Sequence, residues 1–183
     1  MASNDYHFIT RLQVESTCKE VTEILGDGPD LMRWWPSVYL QVNQLAKGDA
    51  DGVGAVTDLY TKGFLPYTLR WKFTVTEAHH PNGFTLQAQG DFVGRGIWTI
   101  EQDGPLVNIV YDWKISAEKP LLKNLSFLVK PFFEANHRWA MAKGEESLKL
   151  ELQRRHAKTP EERAKVPPPP PATFVFGRVK SAT

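Results

Sequence analysis

His137 is the side chain whose type and spacing point most directly to chemistry. Helical spacing sets it on one stripe with Phe133, Ala140, Met141, Gly144, Leu148 and Leu152. An imidazole among apolar neighbours can anchor a ligand by hydrogen bonding or serve as a general base. Its plainer use is as a core histidine satisfied by a carbonyl or a buried water. Aromatic residues form the second group. Trp71, Tyr111 and Trp113 occupy alternate positions of strand-like runs, and Trp98 lies in a third such run. With Phe133 and Met141 they are candidates to line a cavity, where a tyrosine hydroxyl or indole N–H would orient an apolar or aromatic ligand. Filling a core would need the same residues. Arg95, between two glycines, is read as pointing outward from a bend.

Other constellations are weaker. His79 and His80 are adjacent, so on a strand they point to opposite faces, and no third ligand follows at a useful spacing. Asp49 and Asp51 sit near Gly52, but the loop lacks the bidentate Glu of a calcium-binding helix–loop–helix. Cys18, the only cysteine, excludes an intrachain disulfide and a cysteine-based zinc site, and is read as packed. No phosphate-cradling glycine loop, HExxH helix or Gly-x-Ser-x-Gly elbow occurs. Neither a metal nor a cofactor is expected.

The 183 residues, 42% of them apolar, suffice for one domain with a sizeable core. A net charge of +1 argues against a domain-wide nucleic-acid surface. The first residues lack a signal-peptide pattern and no apolar run approaches the ~20 residues of a membrane span. A cytoplasmic, reducing compartment is therefore the expected setting.

The positioning elements follow from periodicity. Residues 6–14 alternate as a strand, Ser16 and Thr17 are N-cap candidates for a helix over Cys18–Leu25, and a second short helix is expected from Pro29-Asp30 to Trp34. Thereafter two-residue alternation dominates. Val38, Leu40 and Val42 share one face of a strand, and Ala55–Tyr60 forms the next. Tyr67, Leu69, Trp71, Phe73 and Val75 alternate with polar residues, and Asn82-Gly83 marks a hairpin before Phe84, Leu86, Ala88 and Phe92. A glycine corner at 94–96 leads to Trp98 and Ile100, and Val107, Ile109, Tyr111, Trp113 and Ile115 form the last apolar face. An antiparallel meander with one apolar face needs a partner layer.

That layer is a helix from Leu121 to about Arg155, with Pro131 expected in a first turn and Phe132 and Trp139 on the outer side. Gly144 is expected to permit close approach to the sheet. Lys119–Lys130, apolar with spaced lysines, is read as helix packing with snorkelling lysines, and alternatively as peripheral membrane contact or a gate. Residues 156–183, charged and then proline-rich, form a tail beyond a 1–155 domain. Within it Thr173–Gly177 is a short apolar patch, and Lys165 with Pro168 and Pro171 matches a polyproline ligand only as any proline run would.

Strand, two short helices, a meander and one long helix is the order of the helix-grip fold. The chain resembles the superfamily of START lipid-transfer domains, plant pathogenesis-related proteins and polyketide cyclases. Trp34-Trp35-Pro36-Ser37-Val38-Tyr39-Leu40 is similar to its aromatic exit from the second helix into the second strand. Val107–Trp113 and the Met141-to-Leu152 stripe are similar to its last strand and closing helix. The resemblance spans residues 6–155 and implies an α+β fold, with a curved antiparallel sheet of about seven strands around the C-terminal helix. It also implies a hydrophobic ligand, whether lipid, polyketide or aromatic, between the two layers. Two functions stay open: binding or transport of that ligand, favoured because paired ionisable groups are few on the inward faces, and a polyketide cyclase/aromatase-like enzyme in which His137 moves protons.

Overall fold

The computed structural model describes residues 5–118 and 126–173, with the side chains of 126–129 left aside. Residues 119–125 of the lysine-spaced segment and 174–177 of the apolar patch lie outside the described residues.

Seven strands form one antiparallel sheet in the order β1-β7-β6-β5-β4-β3-β2. They are β1 (Asp5–Glu15), β2 (Tyr39–Lys47), β3 (Ala55–Lys62), β4 (Thr68–Ala78), β5 (Gly83–Gly90), β6 (Phe92–Asp103) and β7 (Leu106–Ala117). Between β1 and β2 come α1 (Cys18–Gly26), a short 3-10 turn (Gly28–Asp30) and α2 (Leu31–Trp34). After β7 come α3 (Ser126–His156) and the short α4 (Pro160–Lys165). This is the helix-grip arrangement that the resemblance implies.

The alternation read from the sequence decides the inner face. Leu69, Trp71, Phe73 and Val75 of β4 are buried, as are Val107, Ile109, Tyr111, Trp113 and Ile115 of β7. One strand departs from it. Between Tyr39 and Gln41 the β2–β3 register shifts, so Tyr39 stands opposite Thr61 and Val42 opposite Leu59. Leu40 is the extra residue of this bulge and drops out of the expected set, so Tyr39 and Val42 pack on the core from β2, while Val38, just before the strand, is buried as expected. Residues 94–96 are a second departure: they are continuous strand within β6, not a corner. Arg95 is exposed, as read.

Thr17 caps α1 through the Glu20 N–H. On α3 the stripe Phe133, Met141, Gly144, Leu148 and Leu152 is buried. Pro131 lies inside the helix rather than in its first turn. Phe132 is exposed, whereas Trp139 packs partly on the core and meets Phe64 edge-on at 6.2 Å between ring centroids. Gly144 approaches a ring and not the sheet: a Cβ there would sit 2.3 Å from Cζ2 of Trp35. Beside this contact Arg33 of α2 grips Glu151 of α3 with two hydrogen bonds of 2.8 and 2.7 Å. Burial alone would raise the Glu151 carboxyl, but Arg33 and Arg155 hold it below its ordinary range.

The proline-rich run returns along the domain. The Lys62 Nζ donates to the Thr173 carbonyl at 3.2 Å, and the Thr173 hydroxyl donates to the Gly63 carbonyl at 3.1 Å. Neither contact joins the layers of the core, so a chain ending at residue 155 is expected to keep a single cooperative thermal transition. A molten or insoluble product would move the boundary. Gly144→Ala separates helix propensity from packing. Alanine gains ~1 kcal/mol as a helix former, yet overpacking against Trp35 costs on the order of 1–3 kcal/mol. A lowered denaturant midpoint is expected, and a raised one would show that the contact has room.

Candidate functional site

The sheet curves away from α3 and leaves a cavity of about 120 Å³ between them. All seven residues singled out in the sequence border it: Trp71, Trp98, Tyr111, Trp113, Phe133, His137 and Met141. Their rings form a connected wall. Trp98 stacks on Tyr111 at 4.0 Å and 14°, and Tyr111 on Trp113 at 5.5 Å and 22°. Trp113 meets Trp71 at 5.7 Å and Phe92 edge-on at 6.2 Å, and Phe92 in turn meets Phe133 of the helix. Gly96 makes the stack possible, since a Cβ there would lie 2.7 Å from the Tyr111 hydroxyl oxygen and 2.9 Å from Trp113.

Polar atoms in this wall are few and placed. The Trp71 indole N–H donates to the Thr61 hydroxyl at 3.0 Å. Asn136, buried on α3, accepts from the Leu65 N–H at 3.2 Å and so ties the β3–β4 connection to the helix. Tyr39 and Tyr111 both face the cavity, and burial pushes their phenols well above the ordinary range. Among the described lining residues there is no Asp or Glu.

His137 stands at the seam between α3 and the edge strand β1. Its ring stacks on Phe8 at 4.1 Å and 14°, and its Nε2 lies 3.3 Å from the Thr10 hydroxyl. Burial, with a smaller contribution from nearby Arg138, lowers its pKa to about 4. The imidazole is therefore neutral near pH 7, and as a base it is much weaker than a free histidine.

Tyr39, Thr61, Lys62 and Asn136 border the cavity without having been found in the sequence. Tyr39 was hidden by the bulge at Leu40. Asn136 had a usable signal, because it falls three residues after Phe133 and four before Ala140 on the inward stripe. Lys62 is 4% exposed although its type predicts a solvated side chain.

The remaining candidates lie elsewhere. Nε2 of His80 is 2.9 Å from the Asp51 carbonyl, and His79 lies 3.4 Å from Glu77. The Asp49 carboxylate accepts from the backbone N–H groups of Asp51 and Val53, closing its own loop. Cys18 is buried. No helix among the described residues is long and apolar enough to cross a membrane.

No protein-family model and no curated protein sequence matches the chain. Solved structures do. An aromatase/cyclase, Zhui, from a Streptomyces species superposes with a TM-score of 0.65 at 16% identity, covering 84% of this chain and 97% of that one. TTHA0849 from Thermus thermophilus gives 0.63 at 16% identity, over 78% and 97% of the two chains. A major latex-like protein from Panax ginseng gives 0.52 at 12% identity, over 74% and 97%. At these identities the likeness speaks for the fold alone.

The His137 environment has a measurable consequence. A histidine whose folded pKa is depressed binds fewer protons folded than unfolded, so stability falls as pH drops from about 6.5 toward about 4 and levels below that. The loss should be on the order of 3 kcal/mol. Denaturant titrations of the wild type and His137→Gln across this window should show a shallower fall in the variant. Parallel curves would mean that the imidazole is not buried in the neutral form.

Proposed function

With the helix-grip fold as premise, we propose that the chain binds a compact, largely apolar molecule, about one aromatic ring in size, between the sheet and α3. The observation that carries this reading is the hollow of about 120 Å³ walled by aromatic faces. Side chains around a void forfeit dispersion contacts on that side, so a ligand that fills it restores them. An apolar cavity of about 150 Å³ takes up benzene, which sets the scale for what fits here. A long acyl chain exceeds that volume, and an aromatic guest is favoured over a lipid.

A second reading is a polyketide cyclase-like enzyme, supported by the aromatase/cyclase among the structural neighbours and by His137 in the cavity wall. Binding is the better supported of the two. Proton transfer at neutral pH is most efficient with a group whose pKa lies near the working pH, and His137 lies well below it. The described lining also offers no carboxylate to pair with the imidazole.

Titration calorimetry with the full chain tests the reading. Single-ring aromatics should give saturable binding and stearate should not. Trp113→Ala, which removes the centre of the aromatic wall, should cost on the order of 3–5 kcal/mol. It should also shift preference from one-ring toward two-ring guests. An unchanged stability and an unchanged preference together would mean that Trp113 faces neither core nor cavity.

A further inference from the structure

Tyr39 and Tyr111 reach the cavity from distant strands, β2 at one edge of the sheet and β7 near the other. Curvature brings them to one volume. Neither hydroxyl has a hydrogen-bond partner among the described residues. A hydroxyl that faces the hollow without a protein partner gains a hydrogen bond when a ligand acceptor arrives. The hydroxyls of Tyr6 and Tyr67 are also unpartnered among the described residues, but they are sealed into the packing and cannot meet a guest. Those of Tyr39 and Tyr111 belong to residues that border the open volume.

Both groups are donors in fixed positions. Burial, joined at Tyr111 by the proximity of Tyr39, keeps the phenols protonated, so each presents an O–H rather than a phenolate. The Tyr111 ring is held between Trp98 and Trp113 and passes closely over Gly96. The Tyr39 ring stands edge-on to Trp35 at 5.2 Å and 74°. Preorganised donors lose little freedom when an acceptor arrives. An oxygen with two lone pairs and no charge suits two neutral O–H donors, because an ion would carry a desolvation penalty that these donors do not offset, and the Lys62 Nζ on the cavity border is engaged by the Thr173 carbonyl.

We infer that the ligand is an aromatic carbonyl compound whose oxygen accepts hydrogen bonds from the Tyr39 and Tyr111 hydroxyls. The inference rests on the reading of the cavity as a ligand site. Acetophenone and α-methylstyrene test it, since they have nearly the same shape and differ by C=O against C=CH2. Tyr39→Phe and Tyr111→Phe each delete one oxygen and keep the ring, and a thermal scan checks that both variants fold. Titration calorimetry with the full chain should show that the wild type prefers acetophenone. Each variant should reduce the acetophenone/α-methylstyrene affinity ratio roughly 3- to 10-fold. Binding of α-methylstyrene itself should not weaken. If both compounds bind and the ratio moves in neither variant, the carbonyl assignment falls while the cavity reading stands. A ratio that moves in only one variant overturns the paired arrangement. If neither compound binds the wild type, the cavity reading falls and takes the inference with it.

Discussion

The contact of Gly144 with Trp35 sets the geometry on which the rest of the molecule depends. A helix of 31 residues spans about 46 Å and behaves as one rod, so fixing one stretch fixes the other. The absence of a side chain at Gly144 lets α3 settle against the indole, and the two-pronged Arg33–Glu151 pair locks α2 to the same stretch. Beyond Gly144 Leu148 and Leu152 are fully packed. Before it, from Met141 back to Phe133, the rod passes over a sheet that curves away, and the gap between them is the cavity. Breaking the pair would be costly because Glu151 is 3% exposed and would be left as a buried, weakened carboxylate.

The wall of that gap is chosen for stiffness. Six aromatic side chains from Trp98 through Trp113 and Phe92 to Phe133 and Tyr6 touch in sequence, each constraining the next ring. Aromatic rings have few rotatable bonds, so a wall built from them holds its shape. Collapse of the hollow would require several rings to leave their positions together.

The electrostatics follow from the same burial. Burial moves the ionisable groups bordering the cavity toward their uncharged forms: the phenols of Tyr39 and Tyr111 upward, the imidazole of His137 and the ammonium of Lys62 downward. One cause, loss of solvation, moves acids and bases in opposite directions but always toward the uncharged form. The charged groups that hold the helices together stand apart from this chamber, on α1, α2 and the last turns of α3.

Two-residue alternation is a local property, and apart from the bulge in β2 and the continuity of β6 through 94–96 it was enough to locate the strands, the inner face of β4 through β7, and the need for a covering helix. The 3.6-residue stripe did the same for α3, because any arrangement of that helix must bury Phe133, Met141, Leu148 and Leu152 together. All seven cavity candidates came from those two periodicities. Tertiary structure decided what periodicity cannot carry. The bulge at Leu40 depends on how β2 pairs with β3, and a single unpaired residue turned Tyr39 inward. Gly144 signalled close approach from sequence, but its partner, Trp35, was settled by the crossing of α3 over α2. Lys62 and Asn136 are polar types that become buried only because other segments, residue 173 and the β3–β4 connection, come to lie against them. Sequence fixes which face of each element is apolar; how far two such faces stand apart depends on contacts between residues remote in the chain, and that distance is what makes a cavity.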